Sequence, residues 1–357
     1  MKKILFVTHR STMGGPSRSL CLNILELKER YKIKVIIPEN GPLYNALKNF
    51  NVEVEIFQAR WRYLPYILFK IFYDKIDVIY GNNFSNDSFL FLVASKLARV
   101  PFIWHIREMI DNNINRAHKR LVLSTKIITV SKACKNAIEK FLPDRGIEVV
   151  YNGVDNGDFM INSDDGKEYL KKKYSIPANK IKIVTIGSVD QRKNQLEMVK
   201  CISNFKKDIN FHLLIVGKIS DIKYKEKIDA YIDTKNLKSK ITFTGVSNDI
   251  SRILSGSDIF LFLSKSDPHP RAVLEAMASG LPVVAYDIDG VGESIINGVN
   301  GFLAAYGDKH TITQSLIKLI KDKKLRESFW ARNRAHIKDN FNYKQTAKKI
   351  EKIINNV

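Results

Sequence analysis

Cysteine is scarce in this 357-residue chain: Cys21, Cys134 and Cys201 are the only three, and they stand far apart. An odd number without C-x-x-C spacing excludes a disulfide framework and a cysteine-based zinc site, and it fits a reducing compartment. Long apolar runs are also missing. The stretch LPYILFKIFY, residues 64–73, is too short to cross a bilayer and carries Lys70. MKKILFVTHRST begins like a secretory leader, but its apolar run from Ile4 to Val7 is too short and ends at His9-Arg10. There is no short-period repeat, no low-complexity segment and no motif for RNA or DNA, so nucleic acid is not an expected partner. The histidines at 9, 105, 118, 212, 269, 310 and 336 have no metal-ligand spacing. Acidic residues are in deficit, 37 against 58 basic ones, for a net charge of +21. Such a surplus points to an anionic partner: a phosphorylated substrate, an anionic membrane surface or nucleic acid.

What is present is a long alternation of strand-like and helix-like segments. Short β-branched runs occur at 3–8, 33–38, 52–57, 77–81, 101–106, 126–131 and 147–153. A second series follows at 182–187, 212–217, 241–245, 258–264 and 281–287. Near-continuous apolar strands imply burial on both faces, hence parallel sheets covered by helices. Residues 156–180 between the two series are polar and poor in strand formers, which places a domain boundary there. The expected organisation is an N-terminal Rossmann-like domain over 1–160 and a second over 175–340. A last helix, about 341–357, returns to the first. Ligands in such sheets bind beyond the carboxyl ends of the strands.

The stretch SDPHPRAVLEAMASG, residues 266–280, carries the chemistry. Asp-Pro-His-Pro cannot be helical inside, whereas the run from Arg271 reads as a helix. The unpaired amides of Arg271, Ala272, Val273 and Leu274, just after Pro270, suit a phosphate or diphosphate. Glu275 then suits the ribose hydroxyls, and Asp267 the group on the far phosphate. A capped helix with a solvated Glu is the plain alternative. In IGSVDQRKNQ, residues 186–195, Arg192 and Lys193 suit a departing diphosphate, the alternative being an exposed basic turn.

The order acid, seven residues, Glu, followed by AMASGLPVVAYD and GVNGFLA, resembles the retaining glycosyltransferases of family 4, which have the GT-B fold. Further pieces in order support the resemblance: MGG (13–15), WHIRE (104–108), VSKA (130–133), YNGVD (151–155), IGSVDQRKNQ and IVGK (215–218). It implies a fold of two doubly wound Rossmann-like domains facing across a cleft. It implies a metal-independent hexosyltransferase that moves a sugar from a UDP- or GDP-sugar to a glycan or lipid-linked acceptor. No cofactor is expected beyond that nucleotide-sugar substrate. His105 resembles the histidine that faces the donor sugar, and with Asp267 and Lys193 it makes up the expected catalytic set. Gly14, Gly15, Ser188, Arg192, Lys193 and His269 through Glu275 are expected to hold the donor. Asn82, Asn83, Arg107 and Glu108 are expected on the acceptor side. Gly245 to Asp249 is a candidate base-contact loop.

Three departures stand out: Asp267 for the usual Glu, Pro268 for Gly and His269 for an aromatic residue. Ser188 also takes the place of an expected Arg. Ser188, Asp267 and Pro268 motivate one alternative, a weakly active sugar-nucleotide-binding homologue acting through a partner transferase; a GT-B sugar-nucleotide epimerase is a further alternative. Asp287-Ile288-Asp289 reads as a D-x-D metal motif but falls at a strand end and is taken as chance. Residues 59–75 mix Arg, Lys, Trp and Tyr around an apolar core. They suit either a membrane interface or a helix packed on the first sheet. The charge then fits a cytoplasmic protein peripheral on the inner face of the cell membrane.

Overall fold

The structure is a computed structural model that describes the chain except for residue 59 and residues 111–118. His118 lies outside the described residues. The chain divides into two compact units, Met1–Gly153 with Tyr343–Val357, and Val154–Asn342.

The first unit is built on a seven-stranded sheet. Its strands are β1 (Lys3–Val7), β2 (Lys32–Ile37), β3 (Glu53–Ile56), β4 (Val78–Gly81), β5 (Phe102–Ile106), β6 (Lys126–Thr129) and β7 (Glu148–Val149). They lie in the order β3-β2-β1-β4-β5-β6-β7, and every pairing is parallel. β4 and β5 are buried along their whole length, as strands covered on both faces must be. One face is filled around Leu5, Phe91, Phe102 and Trp104, the other around Ile4, Phe6, Leu20 and Ile24. The helix Tyr343–Asn355 brings Ile350, Ile353 and Ile354 to the second of these clusters.

The second unit holds six strands: β8 (Ile181–Ile186), β9 (Phe211–Val216), β10 (Ile241–Gly245), β11 (Ile259–Phe262), β12 (Val283–Tyr286) and β13 (Gly301–Ala304). Their order is β10-β9-β8-β11-β12-β13, again all parallel. β13 is one strand more than the sequence predicts. Residues 156–180 contain a helix, Ser163–Tyr174, that belongs to the second unit. Gly166 of that helix lies against the helix Ile250–Ser255. A Cβ on Gly166 would stand 2.3 Å from the Gly256 amide nitrogen, so only glycine permits the approach. The boundary therefore falls at Gly153/Val154, earlier than the polar segment suggests.

Strand order reverses between β1 and β4 in one sheet and between β8 and β11 in the other. Loops leaving these neighbours in opposite directions open a crevice beyond the strand ends, where doubly wound sheets bind ligands. The three cysteines are buried.

Candidate functional site

In the second unit the loops after β8 and β11 meet. β8 is followed by Gly187, whose φ is +156°, and then by the turn 188–194. Its missing side chain lets the Lys193 stem pack on the backbone, with Cε 3.3 Å from where a Cβ would be. Asp190 ties the turn: it accepts from the Ser188 hydroxyl and from the Lys193 amide, the latter at 2.9 Å. Ser188 thus shapes the loop from inside. The Lys193 ammonium donates to Asp267 Oδ2 at 2.7 Å, and both side chains are only 12% exposed. It also stands 4.8 Å above the Phe262 ring. Arg192 donates to the Ser266 carbonyl at 3.1 Å and lies 3.6 Å from the same Asp267 oxygen, with half of its side chain exposed. The Arg192 carbonyl in turn accepts from the Lys265 amide at 2.8 Å. One carboxylate and two cations from loops 74 residues apart therefore share the switch point.

The helix Arg271–Ala278 begins there, with Pro270 at its N-cap and no side-chain cap. The structure corrects part of the expected amide set. The Val273 and Leu274 amides donate to the Pro270 carbonyl at 3.2 and 3.4 Å, and both side chains are fully buried. These two amides are therefore engaged within the first turn of the helix itself. Glu275 is also buried, and its Oε1 accepts from Arg271 Nη2 at 3.3 Å. It is not a solvated helix residue. His269 is buried too, with Nε2 3.0 Å from the Ser294 hydroxyl and its ring 5.6 Å from Phe341. Burial pushes its pKa down to about 3, so the ring is neutral.

Sequence reasoning set Asp289 aside as part of a chance D-x-D pattern and missed its place at the site. It sits after β12 with φ +42°, and its Oδ2 accepts from the Asp267 amide at 2.9 Å and the Ser266 hydroxyl at 2.7 Å. The Asp-Gly turn signal at 289–290 was the only local hint. Among the described residues no cluster of three His, Cys, Asp or Glu side chains suits a metal ion.

In the first unit, the loop after β1 leads to the helix Gly15–Leu27. Gly14 is its N-cap with φ −81°, so it does not use the positive φ that glycine allows. Asn82 and Asn83, expected to face an acceptor, are buried and hold the loops together instead. Asn82 Nδ2 donates to the Pro16 carbonyl at 3.4 Å, and its Oδ1 accepts from Arg107 Nε at 2.9 Å. Arg107 also donates to Asn152 Oδ1 at 2.8 Å, an oxygen shared with the Ser19 hydroxyl at 3.0 Å. Glu108 takes the Phe84 amide at 2.7 Å and Asn83 Nδ2 at 3.5 Å. Burial raises its pKa despite those donors.

His105 lies within β5, buried. Its Nδ1 meets the Tyr80 hydroxyl at 2.6 Å and Arg107 Nη2 at 3.3 Å. A guanidinium only donates, so Nδ1 is the acceptor and the proton of the neutral ring sits on Nε2. Burial first, and the Arg107 charge second, hold the pKa well below the usual histidine value. Burial also keeps the Tyr80 hydroxyl protonated as a donor. Nε2 has no hydrogen-bond partner among the described residues. His105 is therefore a neutral donor rather than a proton acceptor.

Comparison with known proteins places the chain among glycosyltransferases. The family model for glycosyl transferases group 1 matches residues 166–336, and the model for Glycosyltransferase Family 4 matches residues 13–157. An Escherichia coli UDP-Gal:alpha-D-GlcNAc-diphosphoundecaprenol alpha-1,3-galactosyltransferase is 28% identical over 355 residues, 90% of this chain and 89% of the relative. An uncharacterized glycosyltransferase of Methanocaldococcus jannaschii is 30% identical over 234 residues, 64% of this chain and 57% of the relative. The crystal structure of Anabaena HepE with UDP and glucose superimposes with a TM-score of 0.91 at 20% identity, covering 100% of both chains. Two matched family models, one on each unit, and a shared fold lead to one conclusion: the chain belongs to the family 4 glycosyltransferases of the GT-B fold.

Proposed function

We propose that the chain transfers a hexosyl group from a UDP-sugar to a glycan or lipid-linked acceptor in the assembly of a surface polysaccharide. The observation that carries this reading is the Lys193–Asp267–Arg192 cluster at the switch point of the second sheet. Two cations beside a helix start favour a diphosphate and stabilise the charge that develops as it leaves. The acid between them suits the hydroxyls of the attached sugar. UDP is the favoured nucleotide because the E. coli relative is named for UDP-Gal and HepE was crystallised with UDP. Retention at the anomeric carbon and independence from metal complete the proposal, and both rest on the family resemblance. In the first unit, the Nε2–H of His105 is suited to donate to a sugar hydroxyl. The relatives named above are transferases, so neither an epimerase nor a non-catalytic homologue is favoured. Calorimetric titration with UDP-, GDP-, ADP- and CMP-sugars tests the donor. Transfer to diphosphoundecaprenol-linked GlcNAc, with and without EDTA and with the product anomer read by NMR, tests the reaction. Failure to bind any UDP-sugar would sink it.

A lipid-linked acceptor places the reaction at a membrane surface, and one helix of the first unit suits that setting. No helix among the described residues is long and apolar enough to cross a membrane. The helix Leu64–Tyr73 buries Ile67 and Ile71 against the sheet. On the other side Trp61, Phe69, Phe72 and Tyr73 are 58%, 59%, 62% and 72% exposed. One face packs on the sheet, and the aromatic rings on the other support the membrane-interface reading. Arg60, Arg62 and Lys75 are exposed at its two ends, while Glu55 and Asp74 are neutralised by Lys34 and Lys70. Aromatic rings at headgroup depth with flanking cations match an anionic leaflet, here the cytoplasmic one. Sedimentation with phosphatidylglycerol vesicles should pull the protein down. Phe69→Ser with Phe72→Ser, or phosphatidylcholine vesicles, should leave it in solution.

A further inference from the structure

Among the described residues, Asp289 is the one acidic residue with a left-handed backbone whose side chain reaches into the donor loop. A non-glycine residue at φ +42° is uncommon, and for Asp the penalty is modest but real. Such a conformation persists where surrounding contacts require it. The contacts here are specific. A single oxygen, Asp289 Oδ2, accepts both the Asp267 amide at 2.9 Å and the Ser266 hydroxyl at 2.7 Å.

The segment it grips offers few backbone donors by which it can be held. Pro268 and Pro270 carry no amide hydrogen, so the backbone donors from 266 to 270 are those of Ser266, Asp267 and His269. Asp289 takes the middle one. Lys193 holds the same residue from the opposite end, through its carboxylate at 2.7 Å. Asp267 is thus fixed at its amide by the loop after β12 and at its side chain by the loop after β8. β12 and β8 both flank β11, from whose end Asp267 itself comes. Among the described residues Asp289 forms no salt bridge, and both hydrogens it receives come from neutral donors. What those donors need is an acceptor oxygen, not a negative charge.

We infer that Asp289 is a positioning residue: it sets the Asp267 loop so that the Asp267 carboxylate is presented to the donor sugar. This rests on the donor-site reading above. The D-x-D pattern containing Asp289 serves loop geometry rather than metal binding.

Three variants test the inference: Asp289→Asn, Asp289→Gly and Asp289→Ala. The readouts are UDP affinity, slow acceptor-free hydrolysis of the UDP-sugar and the thermal midpoint. Asp289→Asn keeps an oxygen that can accept both hydrogens and should retain hydrolysis within about threefold. Asp289→Gly relieves the backbone and removes the anchor. It should lower kcat ten- to a hundredfold while UDP affinity stays within twofold and the thermal midpoint stays level or rises. Asp289→Ala should lose the same activity with a lower midpoint, since it keeps the strained φ. A merely structural residue would instead lose activity only in step with stability. Asp289→Gly turning over like the parent overturns the inference, as does Asp289→Asn being as inactive as Asp289→Gly. If the parent protein binds no UDP-sugar, the donor reading fails before any variant is compared.

Discussion

Replacing Lys193 by Met gives the most direct view of the donor site, because Lys193 already has a partner without ligand. Its ammonium lies 2.7 Å from Asp267, and both side chains are 12% exposed. With an effective dielectric of about 20, a pair at that distance attracts by about 6 kcal/mol before desolvation is counted. Desolvation of two mostly buried charges offsets much of this, so the pair itself is worth far less. A diphosphate arriving at Lys193 gains a charge-assisted hydrogen bond, typically about 1.5–3 kcal/mol. It also meets the Asp267 carboxylate, which competes for the same cation. Two opposite results follow. Lys193→Met should weaken UDP binding by about 10- to 100-fold. Asp267→Asn removes the competing anion and should tighten UDP binding by about 1 kcal/mol, roughly fivefold, while it cuts UDP-sugar hydrolysis. The Asn substitution keeps the volume, so the comparison is not one of packing. Calorimetry on both single variants and the double variant gives the coupling between the two sites. UDP affinity unchanged in Lys193→Met, or weakened in Asp267→Asn, would refute the assignment of Lys193 to the diphosphate.

Other consequences can be measured separately. His105→Gln places an amide donor near the position of Nε2 and should retain more transfer activity than His105→Asn, whose amide reaches only the Nδ1 position. Burial, the larger cause, keeps His105 neutral without the Arg107 charge, so Arg107→Met should leave the shape of the activity profile over pH 6–8 as flat as the parent's. Stability should fall on acidification. The folded chain keeps His269 neutral down to about pH 3 and His212 down to about pH 4, burial being the first cause in both. The unfolded chain binds protons below its ordinary histidine value, about 6.5, so stability is lost from there downward. His269 alone contributes about 2 kcal/mol of loss at pH 5. Urea titrations at pH 7 and 5 should show this, with a smaller change in His269→Gln. Gly166→Ala forces apart the helices Ser163–Tyr174 and Ile250–Ser255 and should cost at least about 2 kcal/mol in the same assay.

The sheets were legible because parallel strands covered on both faces leave nearly unbroken apolar runs. Strand β13, GFLA, escaped notice: it opens with Gly301 and has only four residues. A Cβ on Gly301 would meet the Val283 carbonyl at 2.6 Å, so the glycine marks a close strand approach that no local pattern announces. The helix Ser163–Tyr174 read as linker because only Gly166 and Leu170 are buried on it. At the site, residue types were legible but their partners were not. Lys193 and Asp267 stand 74 residues apart, and only the β8–β11 pairing brings them together. Asn82 and Asn83 looked like ligand contacts because they follow a strand. The buried Arg107 consumes Asn82, and Glu108 holds the Asn83 amide. Asp289 was read as chance because its role depends on one distant amide.

The departures at 267–269 from the family pattern form one rearrangement rather than three separate losses. Pro268 removes an amide that glycine would offer, yet the amide before it is claimed by Asp289 and the carboxylate before it by Lys193. His269 does not point an aromatic ring at a ligand. It is buried, neutral and within hydrogen-bonding distance of the Ser294 hydroxyl, anchoring the other end of the same short loop. Asp is one methylene shorter than Glu, so its carboxylate reaches less far from the backbone. A backbone held at a fixed position by Asp289 makes that shorter reach a defined geometry instead of slack. Glycine at 268 alone would add a free amide and conformational freedom to a loop whose neighbours hold it for a rigid proline. On the proposed donor reading, sugar selectivity therefore belongs to the ends of β8, β11 and β12 acting together.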